Sequence, residues 1–169
     1  MGLISFDTKI KEEKKLNWKA IKFGQSVSAN NTFINVKENS VEISSVNNGG
    51  KVATDHDGIA YYYTVLDKKY NFKISADIKV MKYAKNPHDG QEGFGIMARD
   101  VVGENEENAV LASNIVGVGG YSGSTKSPNG TQLFYRKGVK GRRGMGSKGT
   151  QSMMIEELKP TPDNTYPEE

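Results

Sequence analysis

A run of positive charges in the second half of the chain is the strongest local charge signal in the sequence. No acidic residue occurs between Glu107 and Glu156. Arg guanidinium groups bind carboxylates in a bidentate manner and Lys ammonium groups act as point charges, so this run favours binding of a polyanion. A solvated loop that offsets the acidic stretches on either side explains it equally well. The run contains Lys126, Arg136, Lys137, Lys140, Arg142, Arg143 and Lys148.

Four acidic residues in turn-like sequence are candidate calcium ligands. Ca²⁺ takes about six to eight oxygen ligands, which loop carboxylates and backbone carbonyls supply together. The spacing is not that of an EF-hand loop, and surface carboxylates that bind no metal are the alternative. The four residues are Asp55, Asp57, Asp89 and Glu92.

The sequence offers few groups for catalysis. It contains no cysteine, which excludes a thiolate nucleophile and a zinc–thiolate site. His56 and His88 each stand beside Asp in turn-like sequence, where a turn residue is more typical than a general base. Jelly-roll glycosidases set two carboxylates across the scissile bond, commonly from an E-x-D-x-x-E strand. That pattern is absent, and Glu106 and Glu107 lie in a polar stretch, so we expect a chain that is not an enzyme.

Length and composition predict one all-β domain. A chain of 169 residues suits a single core, and its 19 glycines, eight tyrosines and six phenylalanines favour strands and turns over helices. No apolar run is long enough to span a bilayer, so no membrane role is expected, and the first 15 residues lack the pattern of a signal peptide. These features predict a cytoplasmic, mature or excised chain.

Apolar or alternating runs separated by Gly, Asn, Asp and Ser predict the strands. The most regular alternation runs from Tyr70 to Tyr83, with Phe72 and Ile74 on its apolar side. Residues 32–36 and 40–46 predict a hairpin with a short polar loop. The predicted strands are 18–23, 32–36, 40–46, 58–66, 70–83, 92–100, 109–121 and 131–136, and residues 136–150 predict a long basic surface loop.

Two of these strands carry glycines on one side. Gly93 and Gly95 alternate with apolar residues and share their side with Arg99, while Gly117 and Gly119 share a side in the later strand. Glycine within a strand often marks a bend, a bulge or the close approach of another group. Adjacent strands of this kind predict a shallow trough beside a guanidinium group.

Four segments in order carry a resemblance: FKISADIKV at 72–80, GQEGFGIMARD at 90–100, VGVGGYSG at 116–123 and LFYRKG at 133–138. Together they resemble the concanavalin A-like jelly-roll modules attached to bacterial pectate lyases, and among these the family 66 carbohydrate-binding modules. The resemblance covers residues 18–138 and implies an all-β, two-sheet antiparallel jelly-roll sandwich, which we assign to residues 16–158. Residues 1–15 would then be a linker or lead-in segment and residues 159–169 an irregular tail.

The same resemblance implies a non-catalytic carbohydrate-binding module, with a structural Ca²⁺, that targets a secreted polysaccharide-degrading enzyme of the same bacterial polypeptide to plant cell-wall pectin or a related glycan. Such modules continue through further strands, so a missing C-terminal segment or a partner chain would complete the fold. Charged side chains near a tyrosine suit sugar hydroxyls. The candidate carbohydrate-binding residues are Asp77, Lys79, Arg99, Asp100, Tyr121, Tyr135 and Arg136.

Other interpretations stay open. A salt bridge between neighbouring strands explains Arg99 and Asp100 at least as well as sugar binding does. A structural or protein-interaction β-sandwich of a multidomain extracellular enzyme has the same sequence features. Nucleic-acid binding is favoured by the pI near 8.9 and by the basic glycine-rich stretch, but the net charge of only +3 argues against it.

Overall fold

The computed structural model describes residues 3–5, 16–24, 26–47, 49–52, 57–82, 92–100, 102, 113–122, 129–137 and 151–158. These residues form strands and connections and contain no helix, which confirms the all-β prediction for the described part of the chain. The strands are β1 (Leu3–Ser5), β2 (Lys19–Gly24), β3 (Thr32–Val36), β4 (Val41–Ser45), β5 (Lys51–Val52), β6 (Asp57–Tyr63), β7 (Ser75–Asp77), β8 (Glu92–Arg99), β9 (Ile115–Ser122), β10 (Asn129–Arg136) and β11 (Gln151–Leu158).

The largest sheet has four antiparallel strands in the order β11-β10-β9-β8, so neighbours in sequence are neighbours in space. Its register places Ile96 of β8 opposite Val118 of β9, Val118 opposite Leu133 of β10, and Leu133 opposite Met153 of β11. A register shift after Thr131 leaves one extra residue in β11, as in a β-bulge. The predicted strands at 92–100 and 131–136 are confirmed.

A second sheet has the order β2-β6-β5, with antiparallel pairing throughout. Phe23 of β2 is its buried apolar residue, and Ile21, Ile59 and Tyr61 pack against it. Strands β3 and β4 pair as the predicted hairpin, with Ile34 opposite Ile43.

The predicted strand at 70–83 is reduced to the three residues of β7. Its partner is β1, which lies inside the segment predicted to be a linker and is itself only three residues long. Since a strand needs a hydrogen-bonded neighbour, the flanking residues of this alternating run do not join a sheet. Phe72 and Ile78 are exposed by 50% and 47%, so this run does not supply the core face that its alternation predicted.

The two larger sheets contact each other through side chains. Arg99 of β8 reaches the rings of Phe23 and Tyr61, and Arg136 of β10 reaches Asp57 of β6. The described strands are therefore compatible with a two-sheet sandwich whose facing surfaces include these two arginines.

Candidate functional site

A buried ion pair joins the two sheets. Arg136 Nη1 donates to Asp57 Oδ1 at 2.5 Å and Nη2 donates to Oδ2 at 2.6 Å, so the guanidinium group and the carboxylate pair in a bidentate manner. The Asp57 side chain is completely buried and that of Arg136 is 3% exposed. Asp57 opens β6 beside Gly24, whose φ is +89°; a Cβ there would overlap the Asp57 carbonyl oxygen, so glycine allows this close approach.

A second arginine approaches the same carboxylate. Arg99 Nη2 lies 3.4 Å from Asp57 Oδ2, and the Arg99 side chain is 5% exposed. Its guanidinium carbon lies 5.5 Å from the ring centroid of Phe23 and 5.7 Å from that of Tyr61, within the range of cation–π contacts. Burial lowers the pKa of Arg99 below its ordinary value, and the charge of Asp57 opposes that shift.

Backbone groups complete the surroundings of Arg136. Its Nε and Nη2 each donate to the carbonyl oxygen of Ser113 at 3.3 Å, and Ser113 is fully buried just before β9. We call the cluster of Asp57, Arg99 and Arg136 the Asp57 clamp. Two cationic side chains, from β8 and β10, surround one carboxylate from β6. The cluster therefore links the four-stranded sheet to the sheet that contains β6.

Asp100, predicted to bind a ligand with Arg99, is hydrogen-bonded to the residue before the next strand, and its role in ligand binding stays a prediction. Its carboxylate accepts hydrogen bonds from the Asn114 backbone amide at 2.7 Å and from Asn114 Nδ2 at 2.5 Å. Asn114 immediately precedes β9, so Asp100 connects the end of β8 to the start of its neighbour. The salt bridge that was the alternative for Arg99 is present, but its partner, Asp57, comes from the opposite sheet.

The structure does not bring the seven predicted carbohydrate-binding residues together. Arg99 and Arg136 lie between the sheets, whereas Tyr135 is 52% exposed on the opposite face of β10. Asp77 and Lys79 are exposed in and after β7, which pairs in a different sheet. Tyr121 belongs to β9, and its side chain is outside what the structure describes.

The glycines of the predicted trough differ in burial: Gly117 of β9 is buried, whereas the glycines of β8 are exposed. Gly117 is buried, and a Cβ there would overlap the Phe134 ring that lies against it. Gly93 and Gly95 are exposed. Arg99 shares this side of the sheet and turns toward the facing sheet, so its guanidinium group does not border an open trough.

Of the four candidate calcium ligands, the structure describes Asp57 and Glu92. Asp57 lies in the Asp57 clamp, and Glu92 belongs to strand β8, so neither is the loop carboxylate that its sequence suggested. Asp55 and Asp89, with His56 and His88, lie outside the described residues. Within the described ranges, no group of three or more His, Cys, Asp or Glu side chains is placed to hold a metal. Calcium binding therefore stays a prediction.

The basic run is described only in part. Arg136 is buried in the clamp, and Lys137 directly after β10 is exposed. The remaining members lie outside the described residues: Lys126, Lys140, Arg142, Arg143 and Lys148. The part of the chain that the structure describes holds no helix long and apolar enough to cross a membrane.

Sequence patterns did not identify the Asp57 clamp. Asp57 and Arg136 are separated by 79 positions, and Asp57 follows a segment that reads as a turn. A carboxylate in such a segment gives no local sign that it starts a buried strand. The sequence placed Arg99 on the glycine side of β8, but that pattern predicted a shallow trough and not a buried ion pair.

Comparison with known proteins places the chain in a family. Residues 4–167 match the family described as pectate disaccharide-lyase N-terminal domain. The chain is 56% identical over 165 residues to pectate lyase L of Thermoclostridium stercorarium, covering 97% of this chain and 13% of that protein. It is 30% identical over 156 residues to a pectate disaccharide-lyase of Dickeya chrysanthemi, covering 72% of this chain and 21% of that protein.

The chain thus spans well under a quarter of the length of either relative. No solved structure matches it. Because the family match extends over nearly the whole sequence, the chain belongs to the family of pectate disaccharide-lyase N-terminal domains.

Proposed function

We propose that this chain is a non-catalytic module of jelly-roll type that binds de-esterified pectin and holds it for a lyase carried on the same polypeptide. The observation that carries the proposal is the family match over residues 4–167 together with the small share of each relative that the chain spans. Because the family match describes a separate N-terminal domain, we place the catalytic residues in another part of the polypeptide. Because plant pectin is extracellular, the proposed site of action is outside the cell.

The charged groups of the chain suit a polyanionic ligand. Arg99 and Arg136 are occupied by Asp57, so they are poor candidates for binding a surface polymer. The cations that remain are Lys126, before β10, and those that follow β10, beginning with the exposed Lys137, in a stretch without any carboxylate. Cationic side chains of this kind attract the regularly spaced carboxylates of polygalacturonate. We therefore assign polymer binding to the segment from Lys126 to Lys148 rather than to the face that carries Arg99.

The Asp57 clamp supports a binding role over catalysis. Asp57 is completely buried and paired with Arg136 in a bidentate manner, which keeps it from a polymer that cannot enter the interior. General acid or base catalysis requires the carboxyl group to lie within hydrogen-bond reach of the reacting proton. The clamp fixes the sheet from which the basic segment leaves, because Arg136 is the last residue of β10. Tethering then raises the effective concentration of a linked lyase at the polymer.

The proposal is tested by affinity electrophoresis of the chain in gels that contain polygalacturonate, levan, xylan or nucleic acid, with and without calcium. We expect selective retardation by polygalacturonate that survives moderate salt. Changing Lys140, Arg142 and Arg143 together to Gln should weaken this binding by about tenfold or more, which corresponds to ~1.4 kcal/mol. Retardation by every polyanion that disappears with salt would reduce the proposal to non-specific charge attraction.

A matched control removes the same number of charges elsewhere. Lys68, Lys69 and Lys73 are exposed in the connection between β6 and β7, more than 50 positions before the basic segment in sequence. Changing these three to Gln lowers the net charge equally, so polygalacturonate binding should be retained. Equal losses in the two triple variants would show that net charge, and not the basic segment, governs binding.

A further inference from the structure

The outer face of the four-stranded sheet is apolar across its whole width. Ile96, Val118, Leu133 and Met153 are cross-strand neighbours in register and form one row from β8 to β11. The next row places Ala98, Val116 and Tyr135 side by side and ends at the polar Gln151 of β11. Arg99, Ile115 and Arg136 alternate with these residues and occupy the inner face, so the outer row is not part of the contact between the two sheets.

Part of this face is strongly exposed, while Ile96, Val118 and Leu133 in its middle are half-buried. Val116 is 50% exposed, Tyr135 52%, Met153 61% and Ile155 58%. An antiparallel sheet that packs on a core through one face normally presents polar residues on the other. Contiguous exposed apolar surface on a soluble domain usually marks an interaction site. We call this surface the outer apolar face and define it by Ile96, Val116, Val118, Leu133, Tyr135, Met153 and Ile155.

We propose that the outer apolar face is the docking surface for the lyase portion of the same polypeptide. This inference rests on the proposed function in one respect, namely that the chain is one domain of a longer lyase. In the two relatives, the matching region covers 13% and 21% of the protein, so most of the polypeptide is available as an intramolecular partner. The partner would present a complementary apolar patch to these two rows, which carry no charged side chain, whereas the positions of Glu156 and Glu92 lie on the same face farther along the strands.

The position of β11 favours a partner in the same polypeptide. β11 is an edge strand of this sheet and the last strand that the structure describes along the sequence. A domain joined to the chain beyond β11 is therefore tethered next to the outer apolar face. A short flexible tether gives an effective concentration of about millimolar, so a modest apolar contact is enough to hold the domains together.

Two methionines make the proposal measurable. Met153 on the outer apolar face is 61% exposed and Met81, after β7, is 65% exposed, so their intrinsic access to solvent is nearly equal. In the full-length polypeptide treated with dilute hydrogen peroxide, we expect sulfoxide formation at Met153 to be about tenfold slower than at Met81, the ratio that corresponds to ~1.4 kcal/mol of docking free energy. Equal rates would overturn the proposal.

Matched variants connect the protection to this face. Val116→Lys introduces a charge on the outer apolar face, whereas Val36→Lys does so at a β3 position that is 47% exposed. In the full-length polypeptide, Val116→Lys should raise the rate of Met153 oxidation to that of Met81. Val36→Lys should leave the oxidation of Met153 slow. Since Val116→Lys could also unfold the domain, the wild-type comparison of the two methionines stands as a test without any substitution.

Further experiments identify what covers the outer apolar face. Cleavage at a protease site inserted after Glu169, followed by dilution, should release the protection of Met153; persistence of the protection would exclude the lyase portion as the occupant. Protection that is lost when the intact polypeptide is diluted would identify a second copy instead and overturn the proposal. Protection that appears only with polygalacturonate would make the face a glycan site and overturn it too. Strong protection without any polygalacturonate binding would refute the proposed function while supporting the docking surface.

Discussion

Replacing Asp57 by Asn removes the negative charge from the Asp57 clamp while keeping the shape of the side chain. Two guanidinium groups then remain in a site where the Arg99 and Arg136 side chains are 5% and 3% exposed. The amide can accept only part of the bidentate pattern that the carboxylate accepts at 2.5 and 2.6 Å. We expect Asp57→Asn to be the most destabilising single change of a charged residue in the described sheets.

The magnitude follows from the burial of the pair. Removing one partner of a buried ion pair leaves an uncompensated charge, and such changes lower the free energy of unfolding by about 3–5 kcal/mol. The whole free energy of unfolding of a natural domain is roughly 5–15 kcal/mol. The variant should therefore be marginally stable or unfolded at room temperature. Changing Arg136 to Met together with Asp57→Asn removes one of the two cations, so the double variant should lose less stability than the sum of the single changes.

The assay is equilibrium urea unfolding, followed by the fluorescence of Trp18 and by circular dichroism. The exposed pair of Lys37 and Glu42 supplies the control, because Glu42→Gln removes a charge at the surface and should lower the unfolding midpoint far less than Asp57→Asn does. A loss below about 1 kcal/mol for Asp57→Asn would refute the assignment of a dry, buried clamp.

Two further predictions concern packing and pH. Gly117→Ala places a Cβ against the Phe134 ring and 2.8 Å from the Ile96 carbonyl oxygen, so we expect a loss of about 1–3 kcal/mol in thermal unfolding; an unchanged melting temperature would contradict this packing. The hydrogen bond and charge of Lys37 lower the pKa of Glu42 below 4.5, so this pair stabilises the fold above that pH and the contribution is lost as the pH falls through the lowered pKa. Wild type and Glu42→Gln should therefore converge in melting temperature at acidic pH; a gap that widens there would contradict the sign.

The alternation of apolar and polar residues predicted a strand correctly where its pairing partner is close in sequence. The hairpin of β3 and β4 and the meander from β8 to β10 follow from short alternating runs separated by turns, because their partners are adjacent in sequence. Alternation failed for the run from Tyr70 to Tyr83, where only Ser75–Asp77 is a strand. An alternating sequence indicates two faces but does not supply a neighbouring strand, and here β1 offers only three residues.

The candidate site was harder to predict for a related reason. Alternation in β8 separates Arg99 from Phe94 and Ile96 but does not say which side faces the second sheet. The sequence predicted a trough beside Arg99, whereas the structure places Arg99 inside, because Asp57 compensates its charge and aromatic rings cover it. That compensation depends on a residue far away in sequence, which no single-strand pattern reveals. The apolar side consequently became the outer apolar face.

The central claim is that the chain binds de-esterified pectin through charge and contact with its basic segment. The most direct test is a binding isotherm, at moderate salt, of the same chain with polygalacturonate and with fully methyl-esterified pectin of equal length. We predict saturable binding of polygalacturonate and at least about tenfold weaker binding of the esterified polymer, since esterification removes the carboxylates that pair with Lys and Arg. Equal binding of both polymers, or binding of neither, would contradict the account.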